Sequence, residues 1–485
     1  MVPPLGNIQA VTVANGQASV DLGFQQGSEE YVLILQALRP GSVGIFETFV
    51  NGVGVTLSAR GLASAAQLET LVADDAPIRE MERRILATLP RIDPPRRALQ
   101  PAQDLGSQRN FFVVNKTGSI QITNPEDFDV VTATLRYIGT RALIYADDTG
   151  LLLTDAMVQQ IGSRFDDQIH PANVTAFGPE SDIDGNGRVI ILLSTRVNAL
   201  TTQEIVDQGA RIVGFFFGID LQHHPTQNPF SNNTEVFYAV VPDPNRVHGA
   251  ARVSIEEYVA LLSSVVAHEF EHMISFNHHV LIAGGSPEAL WLDEGLAHMA
   301  ETVNDMHFQN QLRSAFFLHS PPTTTLTGGG NSLDERGAAW LFVHYMEDRF
   351  PGVLRKLVAG AGRNVGTVNV EAATGTTFSS FFDQWATTLL VDGGTIPNPA
   401  TFESSIDLRG DFEEAKLLLN QSEPNRIPGN YLGIRFGTAT QSIVLQQEGT
   451  TAAYVQVRSA GAGAARVVVD GDPGAQMRVT VVRVK

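Results

Sequence analysis

The chain has 485 residues, 43% hydrophobic and 18% charged, with a formal net charge of −19. That length accommodates about two to four domains, and the acidity disfavours a nucleic-acid backbone as partner. Cysteine is absent, which excludes disulfides, thiolate zinc sites and thiol nucleophiles, and no stretch approaches the roughly 20 apolar residues of a membrane span.

In chain order, residues 8–57 read as strands. Ala10–Val20 alternates around the turn Asn15-Gly16, a hairpin signal, and Glu30–Leu38 is a further apolar run. Ile78–Leu89 reads as a helix. Residues 89–110, rich in Pro, Arg and Gln, read as a linker. Residues 1–88 are therefore expected to form a mainly β accessory domain or a pro-segment.

From Phe111 the pattern becomes mixed. Phe112–Val114, Val130–Tyr137, Ala142–Tyr145, Val189–Leu193 and Val236–Val241 are predicted strands, and Thr154–Ile169 is a predicted amphipathic helix. Val253–His279 is a long apolar helix. Ser286 as N-cap and Pro287 at the first helical position predict the start of the next, which carries Trp291, Glu294, His298 and Glu301. Leu333–Phe350 and Phe378–Val391 are further helices. The C-terminal stretch reads as five short strands, Tyr431–Phe436, Ser442–Gln446, Ala453–Val457, Arg466–Val469 and Val479–Val484, a small β-sandwich. The expected division is a central domain over residues 111–395 and a C-terminal β-sandwich over 396–485.

The chemistry concentrates in His268-Glu269-Phe270-Glu271-His272, an H-E-x-x-H stretch inside the long helix. Histidines four apart project from one helix face and can grip one zinc ion, with the glutamate beside the first placed to act on water. The bland alternative is a surface helix with two solvated histidines. The flanks Val265-Val266-Ala267 and Met273-Ile274 oppose it, because buried imidazoles need partners. A catalytic zinc takes a third protein ligand. His278 stands where H-E-x-x-H-x-x-G-x-x-H has its third histidine, but Ser275 occupies the glycine position. Glu294 on the following helix is the other candidate, flanked by Trp291, Leu292 and Leu296.

His268–His272 followed by Trp291–His298 resembles the gluzincin (thermolysin-related) zinc metallopeptidases, most closely the hyicolysin-type neutral metallopeptidases, over roughly Phe111–Asp392. The resemblance implies an α+β chain. A thermolysin-like zincin catalytic domain, a mixed sheet plus a helical half, would be flanked by N-terminal and C-terminal all-β domains. It implies zinc ligands His268, His272 and Glu294, with Glu269 as general base. Two positions depart from the pattern. The aspartate that supports a zinc histidine is replaced by His298, leaving Glu301 as one substitute, and the oxyanion tyrosine position before Gly337 holds Asp334. His298, Arg336 and Tyr345 are then the candidate oxyanion donors. The expected activity is zinc-dependent cleavage of internal peptide bonds in a protein or peptide substrate, laid against an edge strand near Val236–Val241. A catalytically silent zincin-like binding or adhesion protein is the alternative.

Asp182, Asp184 and Asn186 alternate as in the first half of a calcium loop, so Ca2+ is a second metal to test beside Zn2+. The rival reading is an Asx-rich turn leading into a strand. Met1-Val2-Pro3-Pro4 carries no signal-peptide pattern. The polar β segments favour an exported protein whose leader is missing from this chain, with an intracellular protein as the alternative.

Overall fold

Strict alternation of apolar and polar residues builds the outermost layer of the molecule. In β3 (Gln17–Phe24) and β5 (Val43–Asn51) every second side chain is buried, so each strand has one wet face and one core face. The computed structural model describes residues 3–58, 75–89, 103–147, 152–394, 396–397, 399–434 and 440–485. The N-terminal strands are completed by β1 (Ile8–Val11), β2 (Val13–Ala14), β4 (Glu30–Ala37) and β6 (Val55–Ser58). Asn15 and Gly16 both take positive φ, 52° and 80°, and close the predicted hairpin.

The terminal β regions do not form separate units. The C-terminal strands are β13 (Ser442–Glu448), β14 (Thr451–Ser459), β15 (Gly463–Gly471) and β16 (Met477–Arg483). They interleave with the N-terminal strands in two five-stranded sheets, ordered β1-β16-β4-β14-β6 and β13-β5-β15-β3-β2. β4 pairs with β14 and β16, and β15 pairs with β3 and β5. This corrects the expectation of flanking N- and C-terminal β domains: strands from both ends build one sandwich. Strand patterns are local and identify strands, whereas partners are chosen by long-range packing. Tyr431–Phe436 also departs from its predicted strand. Tyr431–Gly433 is a tight helical turn with Leu432 at φ 57°, and residues 435–439 lie outside the described residues.

β4 is buried on both faces. Tyr31, Leu33 and Leu35 pack into the sandwich core, while Val32 and Ile34 join the core of the central region. The sandwich is pinned there by Gln36, which donates to Asp383 (2.7 Å), and Tyr454, which donates to the Ala386 carbonyl (2.8 Å).

The central region is a mixed α+β unit. Its strands are β7 (Gln108–Val114), β8 (Phe128–Ile138), β9 (Ala142–Ala146), β10 (Val189–Leu193), β11 (Gly214–Phe216) and β12 (Val236–Ala239). They form a sheet of order β11-β12-β10-β9-β8-β7, with β9, β10 and β12 parallel. β12 lies between β10 and β11, so Val236–Val241, expected to be a sheet edge, is interior to the sheet and β11 is the edge strand.

The helices are α1 (Ala76–Thr88), α2 (Asp155–Arg164), α3 (His170–Phe177), the short α4 (Thr195–Leu200) and α5 (Gln203–Asp207), and α6 (Tyr258–Phe276). After them come α7 (Leu290–Val303), α8 (Phe308–Leu318), α9 (Leu333–Arg349), the short α10 (Val353–Leu357), α11 (Gly366–Thr374), α12 (Phe378–Val391) and α13 (Leu408–Ser422). The predicted cap at Ser286 is not used. Residues 284–289 are irregular and α7 begins at Leu290, because buried Glu288 accepts hydrogen bonds from Gly366 N and Asn369 Nδ2 and holds the chain extended. Most of the predicted linker, residues 90–102, lies outside the described residues. Among the described residues no helix is long and apolar enough to cross a membrane.

Candidate metal centre and cleft

The sequence makes α6 helical without a solvent face: from Val266 to Phe276 every side chain is buried, the pattern of a core helix. His268 and His272, one turn apart, therefore point into the protein, and their Nε2 atoms approach to 3.2 Å. Two nitrogen ligands each about 2.0–2.1 Å from one tetrahedral zinc would stand roughly 3.3 Å apart. Glu294, on the antiparallel neighbour α7, brings Oε2 to 3.4 Å from His268 Nε2 and Oε1 to 3.9 Å from His272 Nε2. It is fully buried, and neither oxygen has a well-directed hydrogen bond. Two imidazole nitrogens and a buried carboxylate converging on one point are a donor set that fits zinc.

Both imidazoles are oriented from behind. His268 Nδ1 lies 2.9 Å from Glu301 Oε1, and His272 Nδ1 lies 3.0 Å from Asp293 Oδ2. A carboxylate on Nδ1 fixes the tautomer that leaves Nε2 for a metal. Ser275 donates to Asp293 Oδ1 at 3.0 Å, so the residue at the missing glycine position helps hold a supporting acid. The helix then continues through a wide turn at Asn277–Ile282. His278 is consequently carried away from the cluster and lies beside Gly178, and it belongs to none of the metal-competent groups among the described residues.

The electrostatics follow the same geometry. Burial lowers the His268 pKa, but the carboxylates of Glu294, Glu301 and Glu269 outweigh it and raise the value to about 10. Burial pushes His272 well below the usual imidazole range. Burial raises Glu269 while Arg79 opposes the rise. Glu301 is held well below the carboxylate range because His298, His268 and Arg313 overcome its burial.

The three sequence candidates for oxyanion donor separate in space. Arg336 enters the centre: Nη1 is 2.7 Å from Glu294 Oε2 and Nη2 is 2.7 Å from Asp75 Oδ1. It sits in the first turns of α9, whose start is fixed by a capping box between Ser332 and Glu335. His298 lines the cleft, with Nδ1 at 2.9 Å from Glu301 Oε1. Burial lowers its pKa to about 4 against the pull of Glu301. A proton donated to Glu301 from Nδ1 leaves Nε2 an acceptor, which suits substrate N–H groups better than an oxyanion. Tyr345 is not brought to the site. It lies nine residues beyond Arg336, roughly 13 Å along the helix, stacks on Phe381 and donates to the Thr401 carbonyl.

The cleft is a cavity of about 1000 Å³ between α6, α7 and the ends of α8 and α9. His268, Glu269, His298 and Arg336 line it. The edge strand β11 lies alongside, and the Phe216 backbone N–H donates to Glu269 Oε2 at 2.7 Å.

The Asp182 loop is held together by its own hydrogen bonds. Asp182 accepts from Gly187 N (3.0 Å), Asp184 from Asn186 N and Nδ2 (3.1 and 2.8 Å), and Asn186 Oδ1 from Arg188 N (2.6 Å). Asn186 thus spends its side-chain oxygen on the backbone and aims its NH2 at Asp184, the Asx-turn arrangement. Asp182 and Asp184 do approach Glu235 closely enough to share a cation.

Two residues that sequence reading passed over are central. Asp75 belongs to the same four-residue group as His268, His272 and Glu294, and Arg79 forms an ion pair with Glu269. Arg79 and Glu82 sit among Ile78, Met81 and Ile85, which places charge on the apolar face of a short helix but does not name its destination.

Comparison with known proteins agrees at a coarse level. No family model matches the chain. The chain is 28% identical over 251 residues to the neutral metalloprotease ShpI of Staphylococcus hyicus. The match covers 50% of this chain and 51% of that protein, so the chain spans about half the length of the curated relative it matches. That similarity supports a metallopeptidase resemblance at the level of the chain.

Proposed function

We propose that the protein is a zinc-dependent endopeptidase. The observation that carries this reading is the convergence of His268 Nε2, His272 Nε2 and the Glu294 carboxylate beside a cleft that His268 and Glu269 line. His268, His272 and Glu294 would hold the zinc, which when bound supplies Lewis-acid polarisation and acidifies water.

The remaining work falls to the chain. Glu269 accepts the proton of the attacking water and delivers it to the leaving amine. Its carboxylate is aimed by the Phe216 N–H. Arg336 places positive charge where the carbonyl oxygen becomes negative. β11 is an edge strand of its sheet, on which an extended peptide would lie antiparallel once Arg79 leaves the Phe216 carbonyl. Glu301 and Asp293 keep the imidazoles in register. An exported enzyme acting on protein substrates is the setting this reading implies.

The test combines metal content with turnover. Purified wild type is expected to carry one zinc per chain and to degrade an unfolded protein, with activity abolished by phenanthroline. Glu269→Gln is expected to keep its zinc and lose about 100-fold or more in kcat. Glu294→Ala is expected to lose zinc, while His278→Ala keeps it. Zinc retained in Glu294→Ala, or absent from wild type after reconstitution, would remove the reading. A zinc-loaded chain that stays inert in every variant, including those described next, would instead favour a silent binding protein.

A further inference from the structure

Helix α1 sets the chain's own side chains against the residues of the centre. Asp75, immediately before its first turn, brings a carboxylate oxygen within 4.8 Å of the ligand atoms of His268, His272 and Glu294. The same carboxylate contacts Arg336 Nη2 through Oδ1 (2.7 Å) and Arg79 Nε through Oδ2 (3.1 Å). One turn on, Arg79 pairs with Glu269 and donates to the Phe216 carbonyl at 3.0 Å. A further turn on, Glu82 accepts a hydrogen bond from Gly218 N. The spacing i, i+4, i+7 puts all three on one helical face, and they are 7%, 3% and 7% exposed.

Such a face is costly to bury unless its charges are matched. Four buried carboxylates, Asp75, Glu82, Glu269 and Glu294, meet two guanidinium groups, Arg79 and Arg336.

We propose that Asp75 is a fourth protein ligand to the same metal, and that α1 is an intramolecular inhibitor of the centre. The inference rests on the metallopeptidase reading above. A catalytic zinc needs one position open to water, and four protein ligands describe a closed, structural-type site. Arg79 ties up the general base. Phe216 O and Gly218 N, backbone groups of the β11 edge and its continuation, are engaged by Arg79 and Glu82 where an extended peptide would pair. One helix face thus takes the water position, the base and the docking edge together. Being part of the same chain, it competes at a high effective concentration.

The experiment uses the full chain, stripped by chelation and reloaded with zinc or cobalt. Wild type is compared with Asp75→Ala, the conservative Asp75→Asn, and Arg79→Met, with thermal melting to verify folding. Asp75→Ala is expected to weaken zinc binding about tenfold or more in competition with a chromophoric chelator and to alter the visible cobalt spectrum. It is also expected to raise turnover of an unfolded protein about tenfold or more, as the competent fraction grows. Arg79→Met is expected to raise turnover with zinc affinity nearly unchanged. Zinc affinity and cobalt spectrum unaltered in both Asp75 variants would overturn the ligation. Wild-type turnover already equal to that of all three variants would overturn the inhibition and leave the peptidase reading standing. Weakened zinc and an altered spectrum without cleavage by any variant would support Asp75 as ligand while the peptidase reading fails.

Discussion

Glu301 and Asp293 illustrate how side chains that touch no substrate set the chemistry of those that do. Each contacts an Nδ1 atom, at 2.9 and 3.0 Å, and so holds an Nε2 lone pair toward the metal point. Glu301→Gln and Asp293→Asn keep the shape but remove the charge. Each is expected to lower zinc affinity by about 10–100-fold, measured by competition titration with a chelating dye. At this scale the sequence was readable where the contact is local. The histidine pair is one helical turn, so spacing alone announced it. Glu294 lies on the next helix and could be named from its apolar neighbours and the family resemblance. Asp75 and Arg79 could not, because they reach the centre from a helix nearly two hundred residues upstream and nothing in local spacing encodes that arrival. Tyr345 was misplaced for the converse reason: helix α9 was legible, but which of its turns faces the cleft depends on packing.

Helix packing around the centre leaves little slack. At Gly337 a Cβ atom would stand 2.3 Å from the Arg313 carbonyl oxygen, and at Gly295 it would stand 3.1 Å from the Ala339 oxygen. α9 therefore approaches α8 and α7 through glycine. Gly337→Ala sets a methyl against backbone, which cannot rotate aside. A stability loss of about 1–3 kcal/mol is expected, read as a lowered urea midpoint. Since Arg313 also lies 3.7 Å from Glu301, the displaced helix should disturb the His268 support as well. Element identity was largely visible in the sequence because periodicity is intrinsic to each segment. Element ends were less so: the Ser286-Pro287 signal for a helix start was overridden by the buried tether of Glu288.

The whole molecule stores titratable groups in its interior, and they give its stability a pH dependence. Burial raises Asp220 to about 7 and Glu288 to about 8. Both values lie above those of an unfolded chain, about 3.9 and 4.3. Between roughly pH 4 and pH 7–8 these two groups therefore hold more protons in the folded than in the unfolded chain, and their contribution to stability falls as pH rises through that window. The urea midpoint is expected to drop between pH 5 and pH 8, and Asp220→Asn is expected to flatten that slope. A slope unchanged in Asp220→Asn would assign the dependence elsewhere. The joint sandwich is the part of the architecture that sequence reading could not supply. Alternation marked strands at both ends of the chain but carried no label for partners, and β4 and β14 meet only because their apolar faces complement each other in three dimensions.

That sandwich imposes an order on biosynthesis. A ribosome emits β1 to β6 first, yet β4 and β5 find their neighbours only when β13 to β16 emerge at the far end. Throughout translation the early strands carry unsatisfied edges, the state most exposed to aggregation. α1 is made before His268, His272 and Glu294, so on the inhibition proposed above the nascent centre would be guarded from the moment it forms.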